Sequence, residues 1–149
     1  MGAYFLDTSA LVKLYHQESG TDVLDSLLHD DDILVISAVA RVEFLSALYR
    51  KLRKGEIDSK ILEYEVELFR HDLEKFIVIP LDNEIVDEAE RMMVRYGVEG
   101  LRTLDAVQLA SVAIYKDRDT IKFVAADKKF EMIAAKAGFD VFNPVSQTS

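Results

Sequence analysis

The sequence predicts an α/β protein with a mainly parallel five-stranded sheet that is covered by helices on both faces. Short apolar segments of four or five residues alternate along the chain with longer segments whose apolar residues recur at helical spacing. Such alternation is typical of parallel strands joined by crossover helices. Segment 33–36 is apolar throughout, as expected of a strand covered on both faces. With 149 residues, half of them hydrophobic, the chain is large enough for an ordered core.

The predicted elements alternate in order, each strand being followed by one or more helices. Capping side chains and glycines mark their boundaries. The predicted strands are 3–6, 33–36, 76–79, 121–125 and 139–142, and the predicted helices are 8–16, 21–28, 38–53, 58–69, 82–96, 103–115 and 127–137. The predicted helix caps are Asp7 or Thr8, Thr21, Ser37, Asp58, Asp82 and Asp127. We expect one domain over residues 1–145 and a frayed tail over residues 146–149.

The third predicted helix carries an acid that neither caps nor ends a helix. Its predicted core-facing stripe consists of Ala38, Val42, Leu45 and Tyr49. Glu43 lies off that stripe, and its neighbours one turn away are the small residues Ala40 and Ala47. Small neighbours leave room around a carboxylate.

Composition excludes several classes of protein. The formal net charge of −9 argues against non-specific attraction to nucleic acid or to an anionic membrane. It does not exclude a nucleic-acid substrate, because carboxylates that hold divalent cations count as negative. The lack of cysteine excludes disulfides and thiolate metal sites. No apolar run is long enough to span a membrane and no secretory signal is recognisable, so we expect a cytoplasmic protein without a membrane segment.

Four acids are candidates for one site. Asp7 and Asp127 each follow a predicted strand, and parallel strands place their carboxyl ends at one edge of the sheet. Glu43 lies about two turns into the helix after the second strand, and Asp105 lies in the first turn of its helix. Other polar candidates are Thr8, Ser9 and Gln108.

Each acid also has a simpler structural explanation. Acids in the first turn of a helix are stabilised by the helix dipole and by capping, by roughly 0.3–1 kcal/mol. This explains Asp7, Asp105 or Asp127 taken singly, and Glu43 taken singly is a surface charge. Taken together, four oxygen ligands without thiolates favour Mg²⁺ or Mn²⁺. Four clustered carboxylates repel one another unless cations neutralise them, and two such ions can promote phosphodiester hydrolysis.

Nearly the whole chain resembles a PIN-domain ribonuclease, and within that group a VapC-type toxin of a toxin–antitoxin pair. The segments that carry the resemblance are FLDTSALVKLY (5–15), RVEF (41–44), LRTLDAVQLA (101–110) and FVAADKKF (123–130). The resemblance implies an α/β/α sandwich and Mg²⁺- or Mn²⁺-dependent hydrolysis of RNA. One position departs from the family pattern. Two residues before the last acid, where the family often has Thr or Ser, stands Ala125.

The family's four site acids fall on Asp7, Glu43, Asp105 and Asp127. The resemblance implies that the first three hold the principal metal and that Asp127 completes the site through water or a second ion. The implied reaction is in-line attack of water on phosphorus, leaving a 5′-phosphate. Ser9, with Thr8 beside it, falls where the family has a small hydroxyl residue that supports the acids or a metal-bound water.

Further expectations concern the substrate and the partners. Lys13, Arg41 and Arg102 are candidates for contacts with RNA phosphates, although Lys13 and Arg102, which lie close in sequence to site acids, can instead buffer the carboxylates. Arg41 belongs to a basic stretch with Arg50, Lys51, Arg53 and Lys54, which can line an RNA path or meet an acidic partner. Cations suited to the C-terminal dipole of a helix explain the last four equally well. The resemblance also implies a homodimer and an antitoxin partner. The antitoxin would be a small protein whose tail lies across the groove that holds the site acids.

Three alternatives compete with an RNA-cleaving toxin. A haloacid-dehalogenase-type phosphatase also has a strand that ends in Asp, but it needs a second Asp where Ser9 stands. A non-catalytic PIN-like module that binds RNA or protein predicts no metal-dependent turnover. A metal-dependent DNA nuclease would use the same acids, because sequence alone does not reveal a contact to the 2′-hydroxyl group.

Overall fold

A computed structural model describes residues 2–146 of the chain. Its five strands form one sheet in the order β3-β2-β1-β4-β5, and every neighbouring pair is parallel. The strands are β1 (Ala3–Leu6), β2 (Ile33–Ser37), β3 (Ile77–Ile79), β4 (Lys122–Val124) and β5 (Asp140–Phe142). The helices are α1 (Thr8–Tyr15), α2 (Thr21–Leu27), α3 (Ala38–Arg53), α4 (Ser59–Asp72), α5 (Asn83–Tyr96), α6 (Thr103–Ile114) and α7 (Lys128–Lys136). The predicted fold class is confirmed.

Two hydrophobic cores lie on opposite faces of the sheet, because successive side chains of a strand point to opposite sides. Phe5 and Phe123 stack on the face covered by α5, α6 and α7, with ring centroids 5.4 Å apart. Leu6 and Val124, the next residues along the same strands, face α1, α3 and α4. The chain is therefore a three-layer α/β/α sandwich.

The predicted stripe of α3 is wrong. Ala40, Phe44 and Leu48 are the residues that α3 buries, whereas Val42 and Tyr49 are 68% and 48% exposed. The helix carries two apolar stripes, and the one that contains Phe44 faces the core. The ring of Phe44 packs against those of Tyr15 and Phe69, with centroids 5.5 Å and 4.4 Å away. These partners come from α1 and α4, so the pattern of α3 alone did not distinguish its two stripes.

The predicted boundaries lie within one residue of the observed ones except at the end of α4, which runs to Asp72 rather than Phe69. The cap of α2 is Gly20, at a φ of 94° that favours glycine, rather than Thr21. The hydroxyl of Thr21 instead accepts a hydrogen bond from the Glu18 backbone N–H. Ser146, placed in the predicted tail, donates its hydroxyl proton to the Asn143 carbonyl, and residues 147–149 lie outside the described residues. No helix in residues 2–146 is long and apolar enough to cross a membrane.

The buried stripe of α3 can be tested with two neighbouring residues. Leu48→Ala should lower the free energy of unfolding by about 2–5 kcal/mol, because Leu48 is fully buried and its loss leaves a cavity. Tyr49→Ala should change it by less than about 1 kcal/mol, since this side chain is half exposed. Urea titration followed by circular dichroism measures both values. Equal costs, or a larger cost at Tyr49, would restore the stripe that the sequence pattern predicted.

Candidate active site

A cleft of about 780 Å³ opens where β1 and β4 end. From this boundary the sheet continues to β2 and β3 on one side and to β5 on the other. Open α/β sheets bind ligands at such a switch point, because the loops that leave the two strands diverge there. The cleft is lined by all four candidate acids, Asp7, Glu43, Asp105 and Asp127.

Asp7 is the most buried of these acids and is held from two sides. Its Oδ1 accepts hydrogen bonds from the Ala10 backbone N–H at 2.9 Å and from the Ser9 hydroxyl at 2.7 Å. The Ser9 hydroxyl in turn accepts a hydrogen bond from the Ala126 backbone N–H at 3.1 Å, which ties the loop after β1 to the loop after β4. Burial raises the pKa of Asp7 from 3.8 to about 7, and the charges of Asp105 and Glu43 add to the rise.

Glu43 reaches the cleft from the middle of α3 and is held by two side chains from other helices. Its Oε1 accepts hydrogen bonds from the Thr8 hydroxyl at 2.8 Å and from the Gln108 amide at 3.1 Å. The Gln108 amide also donates to the Thr8 hydroxyl at 3.1 Å. The carbonyl oxygen of Gln108 is buried and accepts no hydrogen bond from residues 2–146. Thr8 and Gln108 therefore position Glu43 without neutralising it.

Asp105 and Asp127 complete the acidic lining. Asp127 caps α7 by accepting a hydrogen bond from the Phe130 backbone N–H at 2.9 Å. Asp105 accepts a hydrogen bond from the Arg102 guanidinium at 3.3 Å. Burial raises the pKa of Asp105, while Arg102 and Lys129 act to lower it and Asp127 acts to raise it. The carboxylates of the cleft thus raise one another's pKa values.

Each of the four carboxylates uses a single oxygen for its hydrogen bonds. These anchoring oxygens are Asp7 Oδ1, Glu43 Oε1, Asp105 Oδ2 and Asp127 Oδ1. The second oxygen of each carboxylate accepts no hydrogen bond from any side chain or backbone group of the described chain. Each acid is therefore anchored through one oxygen, Asp105 only by an exposed arginine, and four oxygens are left to bind a ligand.

These donors fit a hard divalent cation in their chemistry. Carboxylate oxygens are the ligands of Mg²⁺ and Mn²⁺, and the buried, mutually repelling acids favour a bound positive charge. Within residues 2–146, no three acidic or histidine side chains already meet at the spacing of metal ligands. The four acids line one cleft without forming a closed ligand shell. The structure thus supplies the donor set and leaves the coordination geometry open.

The three predicted phosphate-binding cations separate in the structure. Arg102 lines the cleft, where it pairs with Asp105. Lys13 is buried and forms an ion pair with Glu18 at 3.0 Å, outside the cleft lining. Arg41 borders a different groove, between α3 and α4. Its helical position, two residues before Glu43, points it away from the cleft. Lys13 and Arg41 therefore do not line the cleft, and their contact with RNA phosphates stays a prediction.

Two further cations lie near the cleft: Arg50, which the sequence placed in the basic stretch, and Lys129, which the sequence pattern did not single out. Arg50 lines the cleft, and its spacing of seven residues from Glu43 is the signal that would have placed both on one face of α3. The charge of Lys129 acts to lower the pKa of Asp105. The Lys129 side chain lies against Gly100, whose φ is 93°. A Cβ at that position would collide with the Lys129 ammonium group. No local sequence pattern indicates this contact.

Fold and site together define a class of protein: an α/β/α sandwich with an acidic cleft at the switch point of a parallel sheet. The model of the PIN domain family matches residues 4–136, and the chain belongs to this family. A curated relative, Ribonuclease VapC46 of Mycobacterium tuberculosis (strain ATCC 25618 / H37Rv), is 35% identical over 111 residues, which cover 74% of this chain and 75% of that protein.

Solved structures resemble the chain in fold. The crystal structure of FitAcB from Neisseria gonorrhoeae superposes with a TM-score of 0.67 at 19% identity, over 95% of this chain and 97% of that one. A toxin–antitoxin complex from Klebsiella pneumoniae gives a TM-score of 0.62 at 17% identity, with the same coverage of both chains. At such identities the likeness establishes the sandwich and its topology.

The raised pKa of Asp7 predicts how metal-free protein responds to pH. Folded Asp7 retains its proton up to about pH 7, whereas the unfolded chain releases it near pH 3.8. The folded state therefore binds more protons in this window, and the contribution of Asp7 to stability is lost as the pH rises through 7, by at most about 4 kcal/mol. Asp7→Asn removes the ionisation and keeps an oxygen that can cap α1.

The measurement is urea unfolding in EDTA from pH 4 to pH 8. The stability of Asp7→Asn relative to the unmodified protein should rise from near zero at pH 4 to its maximum at pH 8. Asp82→Asn exchanges another capping carboxylate for an amide, at an exposed position outside the cleft. A stability difference at Asp7 that does not vary with pH would contradict the burial of its charge.

Proposed function

We propose that this chain is a divalent-metal-dependent endoribonuclease and the toxin of a toxin–antitoxin pair. The observation that carries the proposal is the cleft in which four anchored carboxylates each leave one oxygen free. The name of the curated relative, a ribonuclease, supports RNA as the substrate. The toxin–antitoxin complex among the similar structures supports an antitoxin partner.

In this proposal Asp7, Glu43 and Asp105 hold Mg²⁺ or Mn²⁺, and Asp127 completes the site through water or a second ion. The bound ion supplies charge neutralisation at the phosphate and lowers the pKa of water. Ser9 keeps the Asp7 carboxylate oriented, and its hydrogen bond favours the ionised form of that acid. Thr8 and Gln108 hold Glu43 toward the cleft.

The remaining residues of the cleft act on the substrate side. Arg102 lies at the rim with its side chain 74% exposed, so it can exchange Asp105 for a phosphate at little cost. Lys129 adds a second positive charge near Asp105. The three histidines lie outside the cleft lining, and His16 pairs with Glu65 instead. Among the residues that line the cleft, the carboxylates are accordingly the groups basic enough to accept a proton.

The proposed assembly is a homodimer in the cytoplasm, where RNA and an antitoxin are both present. An antitoxin tail that covers the cleft would block access to the four acids. Co-expression with the product of a small adjacent reading frame, followed by co-purification, tests the partner separately from the chemistry. Size-exclusion chromatography with light scattering tests the dimer.

Cleavage of a mixed-sequence fluorescent RNA tests the proposed reaction. We expect cutting in Mn²⁺ or Mg²⁺ and none in EDTA. Asp7→Asn and Asp105→Asn should each lower the rate by at least about a hundredfold, because each removes a charged ligand from the site. Asp82→Asn is the matched control, since it alters a capping acid outside the cleft and should keep full activity.

Each other outcome has a definite meaning. Cutting that survives both site variants would show a contaminating nuclease and overturn the site assignment. Equal cutting of DNA of the same sequence would assign a general nuclease instead of a ribonuclease. RNA binding without cutting by any form, repeated with RNAs from the source organism, would favour a non-catalytic binding module.

The positioning role of Gln108 gives a separate prediction. Gln108→Leu removes the amide that donates to Glu43 and Thr8 but leaves all four acids in place. Loss of a residue that orients a metal ligand typically costs about 10- to 100-fold in metal affinity or activity. The Mn²⁺ concentration for half-maximal activity should therefore rise, and high Mn²⁺ should restore much of the rate. An unchanged Mn²⁺ dependence would contradict this role.

A further inference from the structure

A second groove, of about 250 Å³, runs beside the acidic cleft along the C-terminal part of α3. Four residues line both the groove and the cleft: Ser9, Val12, Ala47 and Arg50. One of these residues, Ser9, donates a hydrogen bond to Asp7. The groove therefore adjoins the cleft, within reach of a strand that is bound there. The other lining residues are Glu18, Lys51, Lys54 and Glu56.

The charges of this groove are unevenly paired. Glu18 forms ion pairs with two lysines, the buried Lys13 and Lys51 of the groove, each with an Nζ–Oε distance of 3.0 Å. Lys51 also lies 3.8 Å from Glu56. Arg50 and Lys54 form no ion pair with any of residues 2–146. The acids of the groove are thus matched by lysines, and two further positive charges remain available.

The available charges stand out in a chain whose net charge is −9. A cation near the end of a helix is favoured by the helix dipole, which explains why α3 ends in basic residues. The dipole does not explain why two of them, Arg50 and Lys54, line a groove that shares four lining residues with the acidic cleft. Arg53 lies at the same helix end and is exposed, but it lines neither the groove nor the cleft.

We propose that this groove binds the phosphodiester backbone of the RNA strand on one side of the scissile bond, with Arg50 and Lys54 contacting its phosphates. This inference rests on the proposed function, because it assigns a path to the substrate of the same site. Unpaired cations in a groove suit phosphates regardless of the base sequence. Continuity with the carboxylate cleft favours RNA over an acidic protein segment as the occupant.

The test compares Arg50→Gln and Lys54→Gln with Arg53→Gln. Arg53→Gln removes a charge from the same helix end and so controls for the dipole and for net charge. Binding of a fluorescein-labelled, mixed-sequence single-stranded RNA is measured by anisotropy in Mg²⁺ at several salt concentrations. Every variant is made in an Asp7→Asn background, so that cleavage does not disturb the titration. KM and kcat are measured in the active background.

We expect Arg50→Gln and Lys54→Gln each to weaken RNA binding roughly three- to tenfold and to reduce the salt slope by about 0.7. For Lys54→Gln, which lies outside the cleft lining, KM should rise by a similar factor while kcat stays within about twofold, because this contact exists before and during the reaction. A dinucleotide substrate, too short to occupy the groove, should be cut equally well by Lys54→Gln and by the unmodified protein. Arg53→Gln should match the unmodified protein in every measurement.

Two results would overturn the inference. The first is RNA binding by the Arg50 and Lys54 variants that equals binding by Arg53→Gln. The second is unchanged RNA binding together with lost binding to a polyglutamate peptide, which would assign the groove to an acidic protein segment. If RNA binds as expected and no form cleaves it, the proposed reaction fails while the groove assignment stands. The two failures are therefore distinguishable.

Discussion

The pairing of β1 with β4 is the contact on which the candidate site depends. These strands are neighbours in the sheet although most of the chain separates them, and the boundary between them is where the connections diverge. The Asp7 backbone N–H continues the pairing by donating to the Val124 carbonyl, and the Ser9 hydroxyl then joins the two loops at Ala126. A shift of this register by one residue would exchange the two faces of β1 and remove Asp7 from the cleft.

Helix capping and ligand binding use different oxygens of the same carboxylates. In Asp7 and Asp127, one oxygen caps the following helix and the other accepts no hydrogen bond from the described residues. The cap restrains the side chain, and in Asp7 the Ser9 hydroxyl restrains it further. Glu43 lies in mid-helix and has no cap to fix it, and Thr8 and Gln108 orient it instead. Structural and functional explanations of these acids are therefore compatible.

In the absence of a cation, burial and mutual repulsion make it unfavourable for all the carboxylates of the cleft to be ionised. The pKa of Asp7 near 7 expresses this imbalance, because desolvation and two neighbouring carboxylates all oppose its ionisation. Arg102 and Arg50 line the same cleft as the acids, and the charge of Lys129 acts on Asp105. Such an arrangement is unfavourable for folding alone and is typical of sites that bind an ion and an anionic substrate.

Local sequence was sufficient for the order of elements and for the acids that follow strands. Apolar segments end directly before or close to Asp7 and Asp127, so parallel topology alone predicts that these two acids share an edge. The burial of Phe44 rather than Val42 was decided by packing against aromatic rings from other helices, since both stripes of α3 have helical spacing. The support of Glu43 joins residues 35 and 65 positions away, and the groove at Arg50 exists only where α1 lies beside α3. Periodicity describes one element at a time, whereas these features are contacts between elements, which form only when the sheet brings the helices together.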